Sequence, residues 1–115
     1  MATTKLTTGL ARLPVAKNPH HLLGVIYGRT LRALAKMPQD YPYRMNTESL
    51  VNKRAEFVKS TACVADLEKK IGSGHIEEVI IQADNELLLS RKILEWRSWE
   101  PLSGAAPANQ WKWPL

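Results

Sequence analysis

Apolar residues recur along this chain at spacings of three and four, the period of helices that bury one face. The first such run opens at Asn18-Pro19, where Asn is a favoured cap and Pro suits the first helical position. Leu23, Ile26, Tyr27, Thr30, Leu31 and Leu34 follow as one stripe. Gly24 and Gly28 weaken this helix by about 1 kcal/mol each relative to Ala, and leave a flat strip where another backbone could approach. The helix is predicted to stop at Met37, before Pro38. A turn-rich linker, 38–42, leads to a second helix opened by Pro42. Its stripe of Tyr43, Leu50, Val51, Ala55, Phe57 and Val58 is broader and less regular. A break near Ser60-Thr61 precedes a short helical piece with Val64, Leu67 and Ile71 on one side. Gly72-Ser73-Gly74 ends it, with glycine available for a left-handed cap.

The third main helix has the clearest pattern. It begins near His75, with Glu77 and Glu78 at the positive end of its dipole. Ile76, Ile80, Ala83, Leu87, Ser90 and Leu94 form a heptad-like seam. Arg91, Lys92 and Arg97 place positive charge towards its end, and Pro101 stops it after Trp99-Glu100. Three main helices, short loops and no strand alternation predict an all-α fold, an antiparallel three-helix bundle with extended N- and C-terminal arms. The expected divisions are an N-terminal arm over 1–17, the bundle over 18–100 and a Trp/Pro-rich tail over 101–115.

Composition narrows the function classes. The 115 residues suit one domain, and 44% hydrophobic with 23% charged residues is a globular balance. The single cysteine, Cys63, excludes an internal disulfide framework and a multi-thiolate zinc site. It lies in Thr61-Ala62-Cys63-Val64 without a basic cluster beside it, so it is expected to be structural and partly buried. No apolar run approaches the length of a membrane span.

The formal net charge is +5, and its distribution is uneven. Lys5, Arg12, Lys17, Arg29, Arg32 and Lys36 all precede the first acid, Asp40, and the remainder is nearly neutral. A basic, acid-free N-terminus resembles a mitochondrial targeting segment, expected here to be uncleaved. Nucleic-acid binding is disfavoured, because the bases are scattered among acids and no recognised signature is present.

Candidate chemistry is sparse. His20 and His21 are adjacent on a helix and diverge, and His75 stands in a glycine loop; these read as surface or capping histidines. Gly72-Ser73-Gly74-His75 lacks both the third glycine of a dinucleotide loop and a Walker lysine. Glu77 with Glu78, and Asp84 with Glu86, do not converge on a helix and are expected on solvated faces. No nucleophile–base constellation emerges, and no cofactor or metal site is expected.

Tryptophan is the anomaly. Trp96, Trp99, Trp111 and Trp113 all lie near the C-terminal end. Trp96 and Trp99 are predicted to share a helix face. Pro114 biases Trp113 towards extended backbone, which would put Trp111 and Trp113 on one side of the tail. The tail either folds back to stack Trp on Trp or presents rings to another protein, where Trp is favoured at hot spots. Both readings can hold together. The candidate partner-binding residues are Trp96, Trp99, Glu100, Pro101, Trp111, Trp113 and Pro114.

Glu77-Glu78-Val79-Ile80, Gln82-Ala83, Arg91-Lys92, Glu95-Trp96, Trp99-Glu100-Pro101-Leu102 and Gln110-Trp111-Lys112-Trp113-Pro114 together resemble one small family. It is the alpha-subcomplex subunit five family, or thirteen-kilodalton B family, of mitochondrial NADH:ubiquinone oxidoreductase, respiratory complex I. Thr7-Thr8-Gly9-Leu10, Asn18-Pro19-His20 and Tyr43-Arg44 fit it too, so the resemblance spans essentially the whole chain. It implies a non-catalytic accessory subunit that binds no flavin, iron–sulfur cluster or nucleotide. It further implies a peripheral place on the matrix side of the mitochondrial inner membrane, among core and accessory subunits of the hydrophilic arm. Assembly or stability of that arm, and so electron transfer from NADH to ubiquinone, would be its role. The alternative is a free-standing helical adaptor or binding module.

Overall fold

A computed structural model describes residues 5–114; residues 1–4 and 115, the extremities of the two expected arms, lie outside the described part. Four helices are present and, among the described residues, no strand: α1 over Pro19–Ala35, α2 over Pro42–Ser60, α3 over Val64–Ile71 and α4 over Ile76–Trp96. The all-α class holds, with four helices in place of three main ones. The piece at 64–71 is a separate helix because Thr61 and Cys63 are extended, with ψ of 110° and 127°, and interrupt the helical hydrogen bonding.

Helix ends follow local chemistry. Pro19 and Pro42 sit in the first positions of α1 and α2, where a missing N–H costs nothing. Asn18 precedes α1, but its side chain makes no capping hydrogen bond. α1 ends at Ala35, two residues before Met37, because Lys36 and Met37 donate to Ala33 and Leu34 in a tighter final turn. Gly72 closes α3 at φ 72°, the left-handed cap the sequence predicts, and its N–H donates to Glu68 O at 2.9 Å. Before α4, the Glu78 carboxylate accepts the His75 N–H at 2.9 Å.

Side-chain contacts define the topology. His20, at the start of α1, lies 2.7 Å through Nε2 from the carbonyl of Thr61, just past the end of α2. Tyr43, at the start of α2, donates to Glu86 Oε1 at 2.6 Å and meets Ser90 Oγ at 3.0 Å, from the middle of α4 into its second half. Therefore α2 runs antiparallel to both α1 and α4, and those two run parallel. Leu23, Tyr27, Val51, Val58, Leu67, Ile76, Val79 and Ala83 form the core where the four helices meet. Burying each leucine or valine stabilises the fold by about 1.5–3 kcal/mol. Leu67, fully buried, fastens α3 to this core; truncating it to Ala would cost about 2–5 kcal/mol.

Three expectations fail on packing. Leu50 is half exposed on α2, where Thr47 is buried instead. Cys63 is exposed because it stands at the start of α3, outside the core. The last helix ends at Trp96, not Glu100: Arg97 adopts the left-handed conformation at φ 57° and leaves the helix before Pro101 is reached. Positive charge consequently lies before and after the last turn of α4, with none in it.

Candidate functional site

The C-terminal end carries the tryptophans. With α4 ended at Trp96, Trp96 and Trp99 do not share a helix face. Trp96 is 65% exposed. Trp99 turns back over the loop before α2, where its ring meets Tyr41 edge-on at 6.0 Å. The Arg97 guanidinium lies 5.9 Å from the centre of the Trp99 ring, while Arg97 Nε pairs with Glu100 Oε1 at 2.6 Å. Pro101 follows this tight turn, in which the Glu100 N–H donates to Arg97 O at 3.0 Å.

The tail is folded into turns. Gln110 N–H donates to Pro107 O at 3.1 Å, and Lys112 N–H to Asn109 O at 3.2 Å. Trp111 therefore lies within the second of these turns and Trp113 follows it at a bend, rather than both along one edge of an extended strand. They are 88% and 87% exposed, and Pro114 is exposed beside them. Among the described residues no Trp ring stacks on another; the aromatic contact that forms is Trp99 on Tyr41, with Tyr43 6.0 Å beyond.

The periodicity reading missed a second apolar stripe on α4. Ile81, Leu88, Leu89 and Trp96 are each at least two-fifths exposed. At 100° per residue they occupy the face opposite Val79, Ala83, Leu87 and Ser90, which point into the core. The stripe runs about 22 Å along the helix. Its signal was legible: α4 is apolar on two faces, whereas a helix that buries one face needs one.

At the other end of the molecule, Glu77 is 3% exposed rather than solvated. Its Oε2 lies 2.7 Å from Lys5 Nζ, and its Oε1 accepts the Ala16 N–H at 3.2 Å. Lys5 Nζ also donates to Glu68 Oε1 at 2.9 Å and lies 3.0 Å from His75 Nδ1. An ammonium has only donors, so His75 Nδ1 accepts. Glu68, His75 and Glu77 place their ligand atoms within 4.8 Å of one another, as a metal site would, and the Lys5 ammonium fills that space. Burial works to raise the Glu77 pKa, but the Lys5 ammonium and backbone N–H groups outweigh it and hold it below the ordinary carboxylate value. Burial likewise works to lower the Lys5 pKa, but Glu68 and Glu77 outweigh it and raise it. A cleft of about 520 Å³ lies beside this cluster, lined in part by Val15, Pro19, His20, Ala62 and Ile76. Nothing stands within 4 Å of where side chains on Gly24 and Gly28 would begin, so that strip is uncovered.

None of these places brings a nucleophile to a base. Ser90 is fully buried, but its hydroxyl donates to the Glu86 carbonyl at 2.8 Å and meets Tyr43 Oη at 3.0 Å. What remains is contact surface: a small helical protein with an apolar helix face and exposed indoles, the makings of a subunit that acts by binding other chains. Relatives agree with that class. Residues 12–78 match the family described as "ETC complex I subunit conserved region". The NADH dehydrogenase (ubiquinone) 1 alpha subcomplex subunit 5 of Bos taurus is 45% identical over 111 residues, covering 96% of each chain. The protein of the same name from Mus musculus is 46% identical with the same coverage. A Caenorhabditis elegans protein described as probable for that subunit is 48% identical, over 96% of this chain and 74% of its own. The chain belongs to this family of complex I subunits.

Proposed function

We propose that this chain is a non-catalytic accessory subunit of mitochondrial respiratory complex I, and that it supports assembly or stability of the matrix-facing hydrophilic arm. Through that arm it would support electron transfer from NADH to ubiquinone. Family membership over nearly the full length supports the complex I assignment. The docking mechanism rests on one observation, the exposure of Trp111 and Trp113 on a tail that buries neither. Two indoles left in water by the folded chain are suited to become hot spots when a partner covers them.

The docking surface in this reading comprises Trp96, Trp99, Glu100, Pro101, Trp111, Trp113 and Pro114. It extends along α4 through Ile81, Leu88 and Leu89. The chain works as three parts, an arm over 1–17, a bundle over 18–100 built on α1, α2 and α4, and a tail over 101–115. Among the described residues no helix is long and apolar enough to cross a membrane, which suits a peripheral place on the matrix side of the inner membrane. Partners would be core and accessory subunits of the hydrophilic arm.

The test is import of Trp111→Ala/Trp113→Ala protein into mitochondria, followed by native gel separation. Incorporation into the large NADH-oxidising particle should fall several-fold, while the isolated variant keeps its helicity and melting temperature. Equal incorporation of variant and wild type would refute the tail's role; migration of the wild-type chain near its own mass alone would refute the subunit assignment.

A further inference from the structure

Because α1 and α4 run parallel, their C-terminal portions lie side by side, and a groove of about 350 Å³ opens between them. It is lined by Arg29, Arg32, Ala33, Lys36, Arg91 and Leu94. Four cations thus face one concavity without a carboxylate in its lining. None of the four forms an ion pair among the described residues, whereas Arg44, Lys92 and Arg97 each pair with a neighbouring glutamate. α1 contains no acidic residue, so Arg29, Arg32 and Lys36 meet one another at spacings of three and four, where like charges weaken a helix.

Helix dipoles account for only part of this arrangement. A cation favours the negative end of a helix within its last turn. Arg32 and Lys36 meet that condition on α1, but Arg29 lies further in, and Arg91 stands before the last turn of α4. The remaining cost of gathering four like charges is relieved when an anionic partner enters. We propose that this groove, beside the tryptophan-bearing end, is a docking site for a carboxylate-rich helix of a partner protein. This rests on the reading of the chain as a subunit of a larger assembly.

The lining selects among anionic partners. Guanidinium groups grip carboxylates bidentately, and a floor of Ala33 and Leu94 accepts the apolar side of an amphipathic helix. The groove contains no aromatic ring on which a base could stack, as single-stranded nucleic acid binding favours. It offers no large exposed apolar side chain to enter a bilayer, as a lipid-surface helix needs. The groove also borders the helix that ends in Trp96, so a partner seated there would continue onto the face already read as partner-facing.

The experiment measures binding of a fluorescein-labelled Ala/Glu helical peptide to the full chain by anisotropy at moderate salt. Arg32→Ser/Arg91→Ser should weaken binding about tenfold, as should Arg29→Gln/Lys36→Gln, with circular dichroism showing unchanged helicity. Lys53→Ser/Lys59→Ser removes the same charge from α2 and should change affinity less than about twofold. Equal losses in all three variants would reduce the effect to net charge and overturn the proposal. So would saturation by single-stranded RNA or anionic vesicles at concentrations where the peptide stays free. If the peptide fails to bind while the chain still enters the NADH-oxidising particle, the groove proposal fails and the subunit assignment stands.

Discussion

Lys5 Nζ lies 2.7 Å from the buried Glu77 Oε2, and this contact, with the Ala16 N–H on Glu77 Oε1, ties the N-terminal segment to the first turn of α4. Glu68 and His75 complete the surroundings of the ammonium, at 2.9 and 3.0 Å. Lys5→Met removes the cation and leaves Glu77 buried without it. The expected loss is about 1–2 kcal/mol, a moderate figure because the Lys5 side chain retains 26% exposure. Lys5→Met/Glu77→Leu should recover part of it, since removing both partners is cheaper than stranding one. Urea unfolding of the two variants measures the difference.

The same contact sets a pH dependence. The Glu77 pKa is lowered on folding, so its contribution is present above the ordinary value of 4.5 and is lost as pH falls through the folded value below that. The Lys5 pKa is raised, so its contribution is present below 10.5 and is lost as pH rises through the folded value above that. The stability difference between wild type and Lys5→Met should therefore shrink at both extremes of pH. A gap that stays constant as pH falls to about 3 would contradict this.

Tyr43 joins α2 to α4 through Glu86 Oε1 at 2.6 Å and Ser90 Oγ at 3.0 Å. Burial raises its pKa first, and the neighbouring Glu86 carboxylate raises it further, so the phenol stays protonated and donating. Tyr43→Phe keeps the ring and removes the hydroxyl. It should cost about 1–2 kcal/mol, read as a lower thermal midpoint with circular dichroism otherwise unchanged.

Gly72 holds φ at 72° to close α3. Gly72→Ala should destabilise by about 1 kcal/mol, because a Cβ is disfavoured in left-handed backbone. Gly104→Ala is the control: no neighbour lies within 4 Å of its added carbon, and its backbone is not left-handed. The control should be neutral or slightly stabilising through loss of unfolded-state entropy. Parallel urea titrations compare them.

Much of the helical content was legible in sequence because its signals are local. Pro19, Pro42 and Gly72 punctuate the helices, and the seam through Ile76, Ala83, Leu87 and Ser90 marks the buried face of α4. The end of α4 was misread, since Pro101 is a clear stop signal while Arg97 carries no sign of a left-handed conformation. The site was half legible. Four tryptophans near one end are visible in any reading of the chain, but whether each ring is covered depends on what lies opposite it. Trp99 meets Tyr41 and is partly covered; Trp111 and Trp113 are left almost wholly exposed.

Sequence by itself determined an all-α chain, its principal apolar stripes, its family and its indole-rich end, because periodicity, punctuation and rare residue strings are read between near neighbours. Tertiary structure decided that Glu77 is buried against Lys5, that Tyr43 reaches Glu86, and that Arg29, Arg32, Lys36 and Arg91 line one groove. Those outcomes depend on helix direction and rotation. Both are settled by how the apolar stripes pack together, a property of the whole chain that no short stretch carries.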